Sequence, residues 1–237
     1  MPRSKRATVV HLTKTTKKTK EAKSKLMDDV KAAAEEFQYA WLFTMDHMRT
    51  TYLQEIRAAW KPAKIFLGRN AVMRLGLGST PENEHMPGIG VLGKLLEGDT
   101  GLLFTDEAPK VVMEWFADFV RDDYARKGNV ATETVELPAG PVMIKEVNDD
   151  PSVAPGSLDS HLRSLGLPTS LQRGVPTLAS PYTVCSLGET LNTQQAGLLK
   201  TLGYQMAQFR VVLRHVWVKE QSKTLRIDEI QQEQQKA

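Results

Sequence analysis

Leu26, Val30, Ala33 and Phe37 recur at spacings of four, three and four, which lays one apolar stripe along a helix from about Lys20 to Phe37. The next run, Tyr39–Asp46 (YAWLFTMD), is apolar almost throughout and reads as a buried strand. Thr51, with Gln54 three positions on, has the spacing of a capping box, and "YLQEIRAAW" makes a short helix that stops before Pro62. "AKIFLG" is a second strand. "NAVMRLGL" is a short helix weakened by Gly76 and Gly78, and "GVLGKLLEG" is another short helix. "GLLFTD" (Gly101–Asp106) is a third strand. "APKVVMEWFADFVRDDYARKG" then carries two rows at a spacing of four, Val111–Trp115–Phe119 and Val112–Phe116–Val120, which predicts one long helix. Strands alternating with helices point to a layered α/β domain.

The pattern changes after Gly128. Between Asn129 and Tyr182 prolines and glycines interrupt short β-like runs, "TVELPAGPVMI" and "SLQRGVPTL", and one short helix, "SLDSHLRSLGL". Helical and strand patterns then return in "NTQQAGLLKTLG", with Asn192 or Thr193 as its cap, and in "FRVVLRHVWV" (Phe209–Val218). The expected organisation is a basic arm at 1–19, a discontinuous α/β domain at 20–128 and 183–220, a smaller α+β insert at 129–182, and a polar, disordered tail at 221–237.

The formal charge of +3 hides an asymmetry. Nine of the 31 Lys and Arg precede Leu26, against Glu21 alone, so the first 25 residues carry +8 and the rest −5. A basic arm on a mildly acidic body suits a polyanionic partner. Cys185 is the single cysteine, so no intramolecular disulfide can form, and its apolar neighbours in "YTVCSL" mark a buried thiol. No apolar stretch approaches the ~18–20 residues of a membrane span, and the N-terminus has charge without an apolar signal core. "PRSKR" and "KTTKKTK" are compatible with a nuclear or nucleolar address.

Catalytic apparatus is not visible. "GIGVLG" (Gly88–Gly93) matches the dinucleotide fingerprint G-x-G-x-x-G, and Asp106 stands near the position of the ribose-binding acid. The motif follows "STPENEHMP" rather than a strand, and its helix is short, so it reads as a flexible helix start. The five histidines do not pair at metal-ligand spacing. Asp28–Asp29, Asp122–Asp123 and Asp149–Asp150 are adjacent pairs whose side chains diverge by about 100° on a helix. The expectation is no catalytic residue, no cofactor and no metal.

The stretch "KIFLGRNAVMRLGLG" differs in kind. A strand ends in Gly68 and opens at once into Arg69, Asn70 and, a turn on, Arg74. Guanidinium and ammonium groups form charge-assisted bonds to phosphate, an amide reaches phosphate, 2′-OH or base edge, and a helix start offers unpaired N–H groups. Gly68 would allow close approach of an RNA backbone. The candidate RNA-binding residues are Lys5, Arg6, Lys14, Lys17, Lys18 and Lys20 of the arm, and Lys64, Gly68, Arg69, Asn70 and Arg74 of the strand–helix turn. Arg69 and Arg74 are expected to matter for binding and little for folding. The competing reading is that "GRN" is only a turn.

"FLGRNAVMR", "GLLFTDE" and "LGLPTSLQRGVPTLASPYTVCSLGETLNTQQAGLLKTLG" together resemble the stalk-base protein family of the large ribosomal subunit, over most of Lys20 to Val218. "MPRSKR" and "LQEIRAAW" resemble the eukaryotic assembly factors within it. The resemblance implies an rRNA-binding α/β domain split by an α+β insert, and a role without catalysis. An assembly factor would bind the GTPase-associated centre of large-subunit pre-rRNA and hold the stalk-base site until the mature stalk protein replaces it. It would meet pre-60S proteins near that site and a release factor, with no membrane and no acidic stalk dimers as partners. It would reside in nucleus and nucleolus, with shuttling to the cytoplasm on pre-60S particles as an option. The alternative is the mature stalk-base protein itself. The sequence departs from the family at Ala71, where stalk proteins often carry Thr, which removes one hydroxyl donor.

Overall fold

The structure is a computed structural model that describes residues 20–78, 80, 82–145 and 151–228. The arm before Lys20 and the last nine residues, on which two of the expectations fall, lie outside these. The elements run α1 (Lys20–Glu36), β1 (Tyr39–Asp46), α2 (Thr50–Ala59), β2 (Lys64–Phe66), α3 (Asn70–Leu77), α4 (Gly90–Lys94), β3 (Thr100–Thr105), α5 (Pro109–Asp118), β4 (Arg121–Asp123), β5 (Val135–Leu137), β6 (Gly140–Pro141), β7 (Met143–Lys145), β8 (Pro151–Val153), α6 (Asp159–Ser164), β9 (Thr169–Gln172), β10 (Val175–Leu178), β11 (Tyr182–Cys185), α7 (Thr193–Thr201), β12 (Ala207–Val218) and β13 (Lys223–Arg226). The fold is α/β with an inserted α+β part. Two compact units are distinguished, one of 20–44, 60–107 and 213–228, the other of 45–59 and 108–212.

The first unit is a sheet in the order β13-β12-β1-β3-β2 with α1, α3 and α4. β1 lies antiparallel to β3, from Tyr39 opposite Thr105 to Thr44 opposite Thr100, and β2 flanks β3 antiparallel. The alternate residues Ala40 and Leu42 of β1, with Leu102 and Phe104 of β3, meet Val30, Ala33 and Phe37 of the helical stripe. Met73 and Leu77 of α3, Leu92 of α4 and Trp217 of β12 complete that core. Leu26, the fourth member of the stripe, is half-buried against it.

The second unit has its own core, which draws on Val135, Leu137, Leu162, Leu178, Val184 and Cys185 and also on Leu198, Leu199 and Leu202 at α7. The helix "NTQQAGLLKTLG" therefore packs with the insert, although it follows the expected insert boundary at Tyr182. Asn192 caps it through a reciprocal capping box with Gln195.

Two elements differ from expectation. The long helix after Ala108 stops at Asp118, because Phe119 leaves helical space (φ −79°, ψ 78°) and residues Arg121–Asp123 pair with Phe209–Ala207 as β4. Phe119 stacks on Trp115 at 4.8 Å between ring centroids, and Asp123 is buried in an ion pair with Arg49. Helical spacing of the two apolar rows persisted into a stretch whose backbone bonds go to a strand partner. The segment 221–237, expected as a disordered tail, contains β13, whose Leu225 is buried opposite Val216.

Candidate nucleic-acid interface

The turn from β2 into α3 presents Arg69 as the N-cap of α3. Its backbone is extended (φ −72°, ψ 120°), and its carbonyl accepts the amides of Val72 and Met73 at 2.8 and 3.1 Å. The Arg69 side chain is exposed and makes no hydrogen bond or ion pair to the described residues. The other members of the expected cluster are engaged within the protein. Asn70 donates its amide to the Gly98 carbonyl at 2.7 Å, which ties the start of α3 to the loop before β3. Arg74 donates Nε to Gly93 O at 3.1 Å and a terminal nitrogen to Leu96 O at 2.8 Å, with a Glu97 carboxylate oxygen 4.0 Å away. Lys64 pairs with Glu36 and lies 5.5 Å from the Phe37 ring centroid. Gly68 meets Leu26 of α1, so that a Cβ there would fall on a Leu26 methyl, and its φ lies outside the left-handed region. The close approach at Gly68 is therefore to a helix of the chain itself.

Helix α1 adds Lys23 and Lys25 to the expected set. Both are exposed, as is Lys20, and none of the three forms an ion pair with the described residues. Lys23 stands one turn before Leu26, whose methyl meets Gly68 next to Arg69. The signal was legible as K-x-x-K-x-K at the head of an amphipathic helix. Lys5, Arg6, Lys14, Lys17 and Lys18 lie outside the described residues.

The glycine motif is accounted for by packing. The Glu84 carboxylate accepts the amides of Gly88 and Gly90 at 3.1 and 3.2 Å, the place where a phosphate would sit in a dinucleotide fold. Gly88 has φ +77° and touches the backbone of Ser222. A Cβ at Gly90 would lie 2.8 Å from Glu84 Oε2, and one at Gly93 would fall on the Gly78 carbonyl. Among the described residues no group of three or more His, Cys, Asp or Glu could hold a metal ion, and no helix is long and apolar enough to cross a membrane. The Cys185 thiol is buried, and desolvation raises its pKa.

A family model described as Ribosomal protein L10 matches residues 18–121, and a second, for the insertion domain of 60S ribosomal proteins of this kind, matches 125–203. The Schizosaccharomyces pombe protein named Ribosome assembly factor mrt4 is 42% identical over 217 residues, 90% of each chain. The chain belongs to the ribosomal protein L10 family. The Saccharomyces cerevisiae protein named Ribosome assembly factor MRT4 is 39% identical, over 89% of this chain and 91% of its own length. Large ribosomal subunit protein uL10 of Thermococcus gammatolerans is 27% identical over 143 residues, 60% of this chain and 39% of its own length. Within the family, the match to the insertion model begins just after β4 and takes in α7, in keeping with the core that α7 shares with β5 and β11.

Proposed function

We propose that the chain is a ribosome assembly factor of the large subunit that acts by binding and without catalysis. On this reading it holds the GTPase-associated centre of pre-rRNA and keeps the stalk-base site until the mature stalk protein takes its place. It works on pre-60S particles in nucleolus and nucleus, among neighbouring particle proteins and a release factor. The observation that carries the reading is identity of 39–42% over about nine-tenths of both chains to proteins named ribosome assembly factors, against 27% to a uL10. The chemistry supports it: Lys20, Lys23, Lys25 and Arg69 are exposed cations without protein partners among the described residues, and the basic arm precedes them. Phosphate contacts of this kind supply salt-dependent affinity.

Binding of the full chain to an rRNA fragment of the GTPase-associated centre, followed by fluorescence anisotropy across salt concentrations, tests the RNA half. Neutralising Lys20, Lys23 and Lys25 to Gln should reduce the log–log salt slope by roughly 0.7–0.9 for each phosphate that is no longer neutralised. An unchanged slope would remove α1 from the interface. Sedimentation of the tagged chain tests the assembly half. Recovery with nuclear pre-ribosomes is expected, and recovery with translating polysomes would favour the mature stalk-base protein instead.

A further inference from the structure

In the second unit a cleft of about 440 Å³ opens to solvent beside β12 and β4. Its wall is built on paired strands: Gln208 of β12 lies directly opposite Asp122 of β4, and Gln208 Nε2 donates to Asp122 Oδ1 at 3.0 Å. Asp46, at the end of β1, accepts Arg210 Nε at 2.7 Å and is thereby neutralised. Asp122 receives a hydrogen bond but has no cation among the described residues. The Thr132 hydroxyl and the Gln205 amide also line the space and make no hydrogen bond to the described residues. The cleft thus offers an uncompensated carboxylate and two further oxygen acceptors, with the carboxylate held on a paired strand.

We infer that this cleft receives an arginine side chain from a protein partner. A planar guanidinium carries five donors and can satisfy a carboxylate, an amide oxygen and a hydroxyl at once, which an ammonium point charge does less well. Two carboxylates against one guanidinium disfavour an RNA phosphate. The volume lies within the usual range for ligand sites, but the cleft is open on one side, as suits a side chain presented by a peptide running over the surface. Apolar ground for such a peptide flanks it. His47 Nδ1 and Asn129 Nδ2 lie 3.2 Å apart, and the next residue of each chain segment, Met48 and Val130, is an exposed apolar side chain. The inference is independent of the RNA reading, since it uses none of the cations assigned to RNA.

The test is an amide NMR titration of the full chain with N-acetylarginine methylamide, with N-acetylcitrulline methylamide as the isosteric neutral probe. Saturable shifts confined to Asp46, His47, Asp122, Thr132 and residues 205–208 are expected, with citrulline at least tenfold weaker. Asp122→Asn keeps an oxygen for Gln208 to donate to and should keep the parent melting temperature while weakening the arginine probe at least tenfold. Equal binding of the two probes, an Asp122→Asn variant that is folded and binds like the parent, or shifts scattered over the surface would overturn the inference. So would an rRNA fragment that moves these amides and displaces the arginine probe, because the cleft would then be part of a nucleic-acid surface.

Discussion

Arg74 reaches from α3 to the carbonyl of Leu96 at 2.8 Å and, through Nε, to that of Gly93 at 3.1 Å, so one guanidinium closes the C-terminal end of α4. Those carbonyls would otherwise lack intrahelical partners. Arg74→Ala should therefore lower stability by about 1–2 kcal/mol, the value of two charge-assisted bonds reduced by screening of a partly exposed group. Arg69→Ala should leave the melting temperature nearly unchanged and weaken binding to the rRNA fragment. Thermal melts and anisotropy on the two single variants separate the roles. Equal melting temperatures for both would show that the α4 clasp contributes nothing.

Gly68 and Leu26 should behave as a coupled pair. Overpacking of a filled site typically costs about 1–3 kcal/mol, and the obstacle here is the movable end of one leucine. Gly68→Val should destabilise more than Gly68→Ala, and Leu26→Ala placed in the same chain should recover part of the stability. A double-mutant cycle in denaturant checks this. Strict additivity would mean that Leu26 is not what excludes a side chain at Gly68.

The elements were easier to read from the sequence than the uses of their side chains. β1 begins and ends where the apolar run does, and α7 is capped by Asn192, because burial and capping are local decisions written in adjacent residues. Arg74, Asn70 and Lys64 read as free cations or amides because their acceptors, Leu96 O, Gly98 O and Glu36, are 22 to 28 positions away. The same distance problem hid Glu84, whose carboxylate fills the turn of "GIGVLG" only once the loop has folded. β4 was hidden differently: "RDD" has no apolar alternation, and its strand partner lies more than eighty positions on, at 207–209.

Cys185 gives a pH signature. Burial raises the folded-state pKa of its thiol, so the neutral thiol's contribution is complete below the unfolded value of about 8.5 and is lost as pH rises through the folded value. Denaturation midpoints should fall more steeply above pH ~8.5 in the parent than in Cys185→Ala. The comparison of slopes cancels the lysines and tyrosines that titrate in the same range. Reaction with a thiol reagent near pH ~8 should be slow until denaturant is added. Rapid labelling of the native chain would contradict burial of the thiol.

The division of labour between the two units can be tested by excision, and the core of the insert decides where to cut. Removing 129–182 would strip Val135, Leu137, Leu162 and Leu178 from beneath Leu198, Leu199 and Leu202, leaving α7 with an apolar face open to water. That variant should aggregate or bind a hydrophobic dye. Removing 125–203, the span matched by the insertion model, takes α7 away with its partners and leaves both β4 and β12, whose pairing runs from Arg121 opposite Phe209 to Asp123 opposite Ala207. A short Gly/Ser linker can rejoin those two antiparallel strands. The shortened chain should fold cooperatively and bind the rRNA fragment within about tenfold of the parent, or ~1.4 kcal/mol, because Lys20, Lys23, Lys25 and Arg69 all lie outside the excised span. A folded 125–203 deletion whose affinity drops by more than about a hundredfold, or ~2.7 kcal/mol, would assign part of the RNA contact to the insert. A 129–182 deletion that folds as well as the longer one would show that α7 does not depend on the insert for its core.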